Sequence, residues 1–330
     1  MIDTNKEKSE ALSGPRKLQL ALEETRDCVQ KTLKESDPVL SDVMGYLADS
    51  DGKQIRAALL LAAAADDQGE VSHDAVMAAA ALEILHLATL VHDDIIDDAP
   101  TRRGRPSVQE KFGKKTAVIS GDYLFSVSFS LVAGLSVQFP RHINLFTRAI
   151  SDLCRGELSQ HRHNRDTDLS VLSYLRIIAG KTAALFTLAL YAGAMLRGDD
   201  EQQCRQMGRI GYQIGILFQL IDDCLDYEET PATLRKSTKH DLSEGVITLP
   251  LIYAMQKKPD LKKLVGREML TADDFHMVIS DVMRLGGLRH ARQISDKYYR
   301  KACFLLEQTA PPLRRALIRS LLDQIHSRRH

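Results

Sequence analysis

Apolar residues recur at three- and four-residue spacing through most of the chain, and Gly and Pro seldom interrupt them, so helix is the expected element almost everywhere. The periodic stretches predict helices at 17–34, 38–49, 53–66, 72–97, 115–135, 142–162, 169–196, 199–228, 246–257, 272–285, 287–309 and 311–327. No stretch alternates as a half-buried strand must. Two connections stand out as long, polar and basic, at 99–115 and 228–245, and long loops in a helical protein are usually functional or disordered. The pattern predicts an all-α protein of roughly ten to thirteen helices, with 1–14 a flexible N-terminal segment and 15–330 a single domain.

Charge narrows the function. The 330 residues carry 44 Lys+Arg and 44 Asp+Glu, a formal net charge of zero, which disfavours a basic nucleic-acid binder. With 44% hydrophobic and 27% charged residues the composition is that of a globular protein, not a disordered one. The longest apolar runs, at 57–65 and 183–196, read as too short or interrupted for a span of ~18 residues. The opening MIDTNKEKSE lacks the apolar centre of a secretory signal, and five scattered cysteines without a C-x-x-C pair read as reduced thiols; a cytoplasmic location is expected.

Two acidic clusters carry the candidate chemistry. In LHLATLVHDDIIDDAP, Asp93, Asp94 and Asp97 follow an apolar helical run, with Asp93 and Asp97 four apart on one face. IGILFQLIDDCLDYEE repeats the pattern with Asp222, Asp223 and Asp226. Carboxylates gathered at ~4 Å repel by ~4 kcal/mol per pair at an effective dielectric near 20, so a cation must compensate. Either cluster alone reads as a solvated helix end. Two, each leading into a basic loop, point to magnesium, which takes one or two carboxylates from each segment and completes its shell with water and phosphate oxygens. No thiolate or histidine pair accompanies them, which argues against a zinc-type site. Basic residues recur near predicted helix starts and in the loops: Lys53, Arg56, Arg102, Arg103, Lys181, Lys236 and Lys239. Facing the carboxylates, they would make a diphosphate site.

These pieces together closely resemble the trans-isoprenyl diphosphate (polyprenyl) synthase family, from Gly52 to Pro250 and more weakly beyond. The matching motifs are GKQIR at 52–56, EILHLATLVHDDIIDDAPTRRGRPSV at 83–108, GDYLF at 121–125, GELSQ at 156–160, KTAALF at 181–186, FQLIDDCLD at 218–226 and DLSEGVITLPLIYA at 241–254. The resemblance implies an isoprenoid synthase-type helical bundle, usually a homodimer, with the acidic segments facing each other across a deep central cavity. It implies that Asp93, Asp97 and Asp222 hold three magnesium ions in the substrate complex, with Asp94, Asp223 and Asp226 close by or acting through water. Arg102, Lys181 and Lys236 would grip the allylic diphosphate, and Lys53, Arg56, His86 and Arg103 isopentenyl diphosphate. Thr182 and Gln219 would lie beside the developing cation. The implied reaction is head-to-tail condensation of isopentenyl diphosphate with an allylic diphosphate.

Departures from the family pattern are Asp51 and Ala57 around the first basic motif, Arg235, Ser237 and Lys239 in the second basic loop, and Val246 where many short-chain members carry Lys. None removes an expected metal ligand. One turn before Asp93 stand Ala88 and Thr89, where short-chain members place an aromatic; the small residues imply a medium- or long-chain product for a quinone side chain. Phe125 and Phe129 are candidates for a deeper floor, although two Phe at helical spacing also read as plain core. A long product implies transient peripheral membrane contact for release. The competing readings are a short-chain farnesyl or geranylgeranyl diphosphate synthase, a class I terpene cyclase and a non-catalytic partner subunit. A cyclase needs no isopentenyl diphosphate residues, and partner subunits typically lose the acidic motifs.

Overall fold

A computed structural model describes residues 4–49, 52–136, 141–228, 242–267 and 269–328, with the backbone alone for 4–16, 136, 141 and 142. Fifteen α-helices occupy the described residues, slightly more than the pattern predicts, with one short 3-10 turn, one π-turn and a pair of two-residue strands. The chain divides into two compact units, one from Met1–Thr147, Leu188–Gly208 and Thr309–Leu321, the other from Arg148–Thr187, Arg209–Gln308 and Leu322–His330.

In the first unit, α1 (Thr4–Lys34), α2 (Ser41–Ala48), α3 (Ile55–Ala64), α4 (His73–Ile96), α5 (Val108–Phe112) and α6 (Lys114–Ser136) pack around α4, which touches α1, α3 and α6. Helix α4 starts where the Ser72 side chain accepts the Ala75 N–H. It buries residues on most of its circumference, from Ala75 to Asp94, as a central helix must. Its end is a Schellman turn: Asp98 is left-handed (φ 47°), with Ala99 N–H donating to Asp94 O at 2.9 Å and Asp98 N–H to Ile95 O at 3.4 Å. The connection expected as an open loop contains a hairpin, Thr101–Arg102 paired with Arg105–Pro106, followed by α5. Its tip, Arg103 and Gly104, has φ of 52° and 78°, the two positive values that a two-residue primed turn requires.

The second unit holds α8 (Val171–Ile178), the π-turn Ala179–Ala183, α11 (Leu249–Lys257), α12 (Asp260–Val265), α13 (Ala272–Arg284) and most of α7 (Arg141–Arg162), α10 (Glu201–Glu228) and α14 (Gly287–Thr309). Its core gathers Tyr174, Ile216, Leu220, Leu251, Val278 and Ala291. Helices α9 (Ala184–Arg197) and α15 (Pro312–His326) complete the chain.

One expectation is corrected. His73–Ile96, Lys114–Leu135 and Val171–Arg197 are each long and apolar enough to cross a membrane by length and composition. Scanning for unbroken apolar runs overlooks such windows, which tolerate a charge or two. The chain itself buries 61% and 67% of the first and third windows but only 33% of the second, so α6 keeps an exposed apolar face that includes Ile119, 59% exposed.

Candidate active site

Helix α4 delivers its carboxylates at its C-terminal end, where the helix dipole disfavours anions. Asp94 is buried, and Arg102 from the hairpin answers it with Nε and Nη2 both 2.6 Å from Oδ1. Burial pushes the Asp94 carboxyl above its usual range, Arg102 opposes that, and Asp97 adds to it. Gln109 Nε2 donates to Asp94 O at 2.6 Å and to Ala99 O at 3.1 Å, which ties the helix end to α5. Asp93 and Asp97 remain half-buried on one face. His92 lies directly over Gly121, where a Cβ would meet its Nε2 at 2.2 Å, so the Gly of GDYLF makes room for that ring.

The residues implied for isopentenyl diphosphate divide in two. His86 and Arg103 line one cavity together with Gly52, Gln54, Arg26 of α1 and Glu83 of α4, whereas Lys53, exposed on the loop before α3, and Arg56 do not line it. Glu83 Oε1 accepts the Ala57 N–H at 3.1 Å and so caps the first turn of α3, which has no side-chain cap of its own. Burial raises the Glu83 carboxyl, with Arg56 and Arg103 opposing. His86 is driven well below its ordinary 6.5 by burial, then by Arg56, Arg103 and Arg102. It therefore meets an anion at neutral pH as an uncharged imidazole, a hydrogen-bonding group rather than a cation.

The sign of the His86 effect on stability follows from linkage. The unfolded chain binds a proton below about pH 6.5 that folded His86 refuses, so this contribution is present above 6.5 and is lost as pH falls from there. A His86→Gln variant is expected to lose less stability than the parent between pH 7.5 and 5.5 in denaturant melts. Parallel losses would contradict the neutral imidazole.

In the second unit, Gly156 of α7 and Gly180 of the π-turn let two backbones meet: a Cβ on Gly156 would lie 2.2 Å from Lys181 N. The π-turn departs from helical period at Lys181 and Thr182, as such turns often do at functional positions. Lys181 Nζ donates to Glu157 Oε1 at 2.9 Å, and Thr182 Oγ1 to Gln219 Oε1 at 2.6 Å. Asp223 is buried and accepts from Gln219 Nε2 at 2.8 Å and from the Tyr174 hydroxyl. Asp222 accepts from Arg328 at 3.1 Å, whose guanidinium also lies 5.0 Å above the Phe218 ring. Asp226 is half-buried. Lys236, together with Arg235, Ser237 and Lys239, lies outside the described residues. Glu83, Glu157, Tyr174 and Arg328 are partners that the motifs alone do not reveal.

Of the floor candidates, Ala88 and Thr89 are buried, and Ala88 joins the core cluster of Val43, Met44 and Leu47. Phe125 tilts against His92 at 5.5 Å, and Phe129 meets Phe146 edge-on at 5.3 Å. Among the described residues no three His, Cys, Asp or Glu side chains already form a closed cage for a metal. Carboxylate oxygens on a half-open helix end suit a hard cation that keeps part of its shell for water and substrate.

Residues 37–282 match the polyprenyl synthetase family, and the chain belongs to that family. It is 35% identical over 291 residues to heptaprenyl diphosphate synthase component 2 of Geobacillus stearothermophilus, with 88% of this chain and 90% of the relative covered. The crystal structure of heptaprenyl diphosphate synthase from Staphylococcus aureus superposes with a TM-score of 0.88 at 31% identity, covering 94% of this chain and 98% of that one. A polyprenyl synthase from Caulobacter crescentus CB15, complexed with calcium and isoprenyl diphosphate, gives 0.84 at 30% identity, with 96% and 99% covered. The all-α isoprenoid synthase-type fold and the trans-prenyltransferase activity on isoprenoid diphosphates are thereby shown. Members of the family generally use magnesium.

Proposed function

We propose that the chain condenses isopentenyl diphosphate repeatedly onto an allylic diphosphate to make an all-trans polyprenyl diphosphate of medium or long chain, destined for a quinone side chain. The observation that carries the reading is the end of α4, where Asp93 and Asp97 share a face while Asp94 is tied back to Arg102. Asp93, Asp97 and Asp222 would hold three magnesium ions, with Asp226 nearby. Magnesium, when bound, offsets the charge that develops on the departing diphosphate. Arg102, Lys181 and Lys236 hold the allylic diphosphate; Arg102 and Lys181 are kept in place beforehand by Asp94 and Glu157. Arg56, His86 and Arg103, with Lys53 from the loop, orient isopentenyl diphosphate so that its double bond attacks the allylic cation. Thr182 and Gln219 turn oxygen atoms toward that cation. The released diphosphate takes the proton, and no protein base is required.

Two further features support parts of this reading. An apolar cavity lined by Ala78 and Leu82 of α4, with Leu60, Val132 and Phe146, begins 11 residues before Asp93, about 17 Å along the helix. A tail reaching it would be longer than farnesyl. The exposed apolar face of α6 suits a second copy of the chain, so a homodimer is proposed. The location is proposed as cytoplasmic, with transient membrane contact for product release.

The test is purified chain with magnesium, labelled isopentenyl diphosphate and several allylic primers, with products sized. Magnesium-dependent products longer than farnesyl support the reading. Hydrocarbon released from farnesyl diphosphate alone would point to a cyclase instead. In the same assay Ala88→Phe is expected to shorten the product, and an unchanged length refutes the floor assignment.

A further inference from the structure

Gly211, Gly215, Gln219 and Asp223 recur every fourth position of α10 and so form one stripe along it. The two glycines allow a close approach. A Cβ on Gly211 would meet Phe186 O at 2.3 Å, and one on Gly215 would meet Ala183 Cα at 2.5 Å. That approach brings the π-turn against α10 one turn before Gln219, which sets Thr182 within hydrogen-bond reach of the amide. The stripe ends at Asp223, buried and accepting from both Gln219 and Tyr174.

Donor and acceptor roles along this row are fixed. An ionised carboxylate only accepts, so the end of Gln219 that faces Asp223 must be its NH2, and its oxygen must face Thr182. The opposite orientation would set the amide oxygen against the carboxylate. Tyr174 fixes the other Asp223 oxygen. Burial and the neighbouring Asp223 charge hold the phenol well above its ordinary range, so it stays a donor. An amide oxygen beside a developing allylic cation lowers its energy, while an NH2 group in the same place would raise it.

We propose that Tyr174, acting through Asp223, is a positioning residue that fixes the side-chain amide of Gln219 with its oxygen toward the reacting carbon. Asp223 on this account serves the amide and not a metal ion. The proposal rests on the reading of Thr182 and Gln219 as neighbours of the cation.

Tyr174→Phe deletes one oxygen and keeps the ring. Steady-state kinetics should show kcat lowered about ten- to a hundredfold, with both diphosphate KM values and the magnesium requirement within about twofold. The double variant Tyr174→Phe/Gln219→Ala should turn over no more slowly than Gln219→Ala alone, because the tyrosine acts only through the amide. An unchanged kcat, a raised magnesium requirement or additive losses in the double variant would each overturn the proposal. If Tyr174→Phe does not fold, Asp223→Asn must give the same kcat loss and the same non-additivity. Should Gln219→Ala itself leave kcat untouched, the placement of Gln219 beside the cation fails, a result distinct from failure of Tyr174→Phe alone.

Discussion

Asp93→Ala lowers turnover by about a hundred- to a thousandfold, the scale expected when a group that stabilises developing charge is removed, and leaves the thermal midpoint near the parent's. Asp94 is buried and bound by Arg102, and Asp98 closes α4 as its left-handed residue. Asp93 and Asp97 lie half-buried on one face of the helix end and are the pair proposed to take a cation. Removing Asp93 relieves its like-charge repulsion with Asp97 at a helix end where anions are disfavoured, an effect that favours folding. Asp94→Ala behaves differently: it strands Arg102 and costs stability as well as turnover. Kinetics paired with thermal melts separate the two, and near-normal turnover of Asp93→Ala with magnesium would count against the assignment.

Asp199→Ala destabilises the first unit by about 3–5 kcal/mol, the usual cost of breaking a buried ion pair, without touching the proposed chemistry. Arg314 and Asp199 have side chains only 2% exposed and are paired, and Arg197 Nη1 reaches the same carboxylate at 2.8 Å. Arg197 Nε also donates to Ala65 O at 3.1 Å and its Nη2 to Asp67 at 2.6 Å, so the cluster joins the end of α3 to α9 and α15. Removing Asp199 leaves a buried guanidinium without its counter-charge. The melt should shift down by on the order of 10 °C, and kcat of the surviving folded protein should be unchanged. A shift of about a degree would mean that water or a rearranged Asp67 replaces the lost partner.

Periodicity reads the long helices of this chain well because α4, α10 and α14 bury faces whose apolar spacing survives to their ends. It does not read the π-turn. Residues 169–196 read as one continuous helix, and the chain stays helical from Val171 to Arg197, but the π-turn at Ala179–Ala183 within it is set by Gly156, Gly180 and Gly215 meeting from distant segments. The hairpin at Thr101–Pro106 hides in a polar loop because its strands are only two residues long. The short helix Asp260–Val265 is missed because charged residues leave it little apolar period. At the site, the aspartates are legible as motifs, but which of them is engaged is not. The partners of Asp94 and Asp223 lie 8 and 49 positions away, and only folding brings them into contact.

We propose that carboxylates of both acidic motifs hold the ions that bind a diphosphate leaving group. Crystals grown with manganese in place of magnesium and an unreactive thiolo analogue of an allylic diphosphate test it most directly. Anomalous density against Asp93, Asp97 and Asp222, each ion also touching a diphosphate oxygen, is the predicted result. Diphosphate bound without metal, or metal lying away from these three residues, would contradict the account.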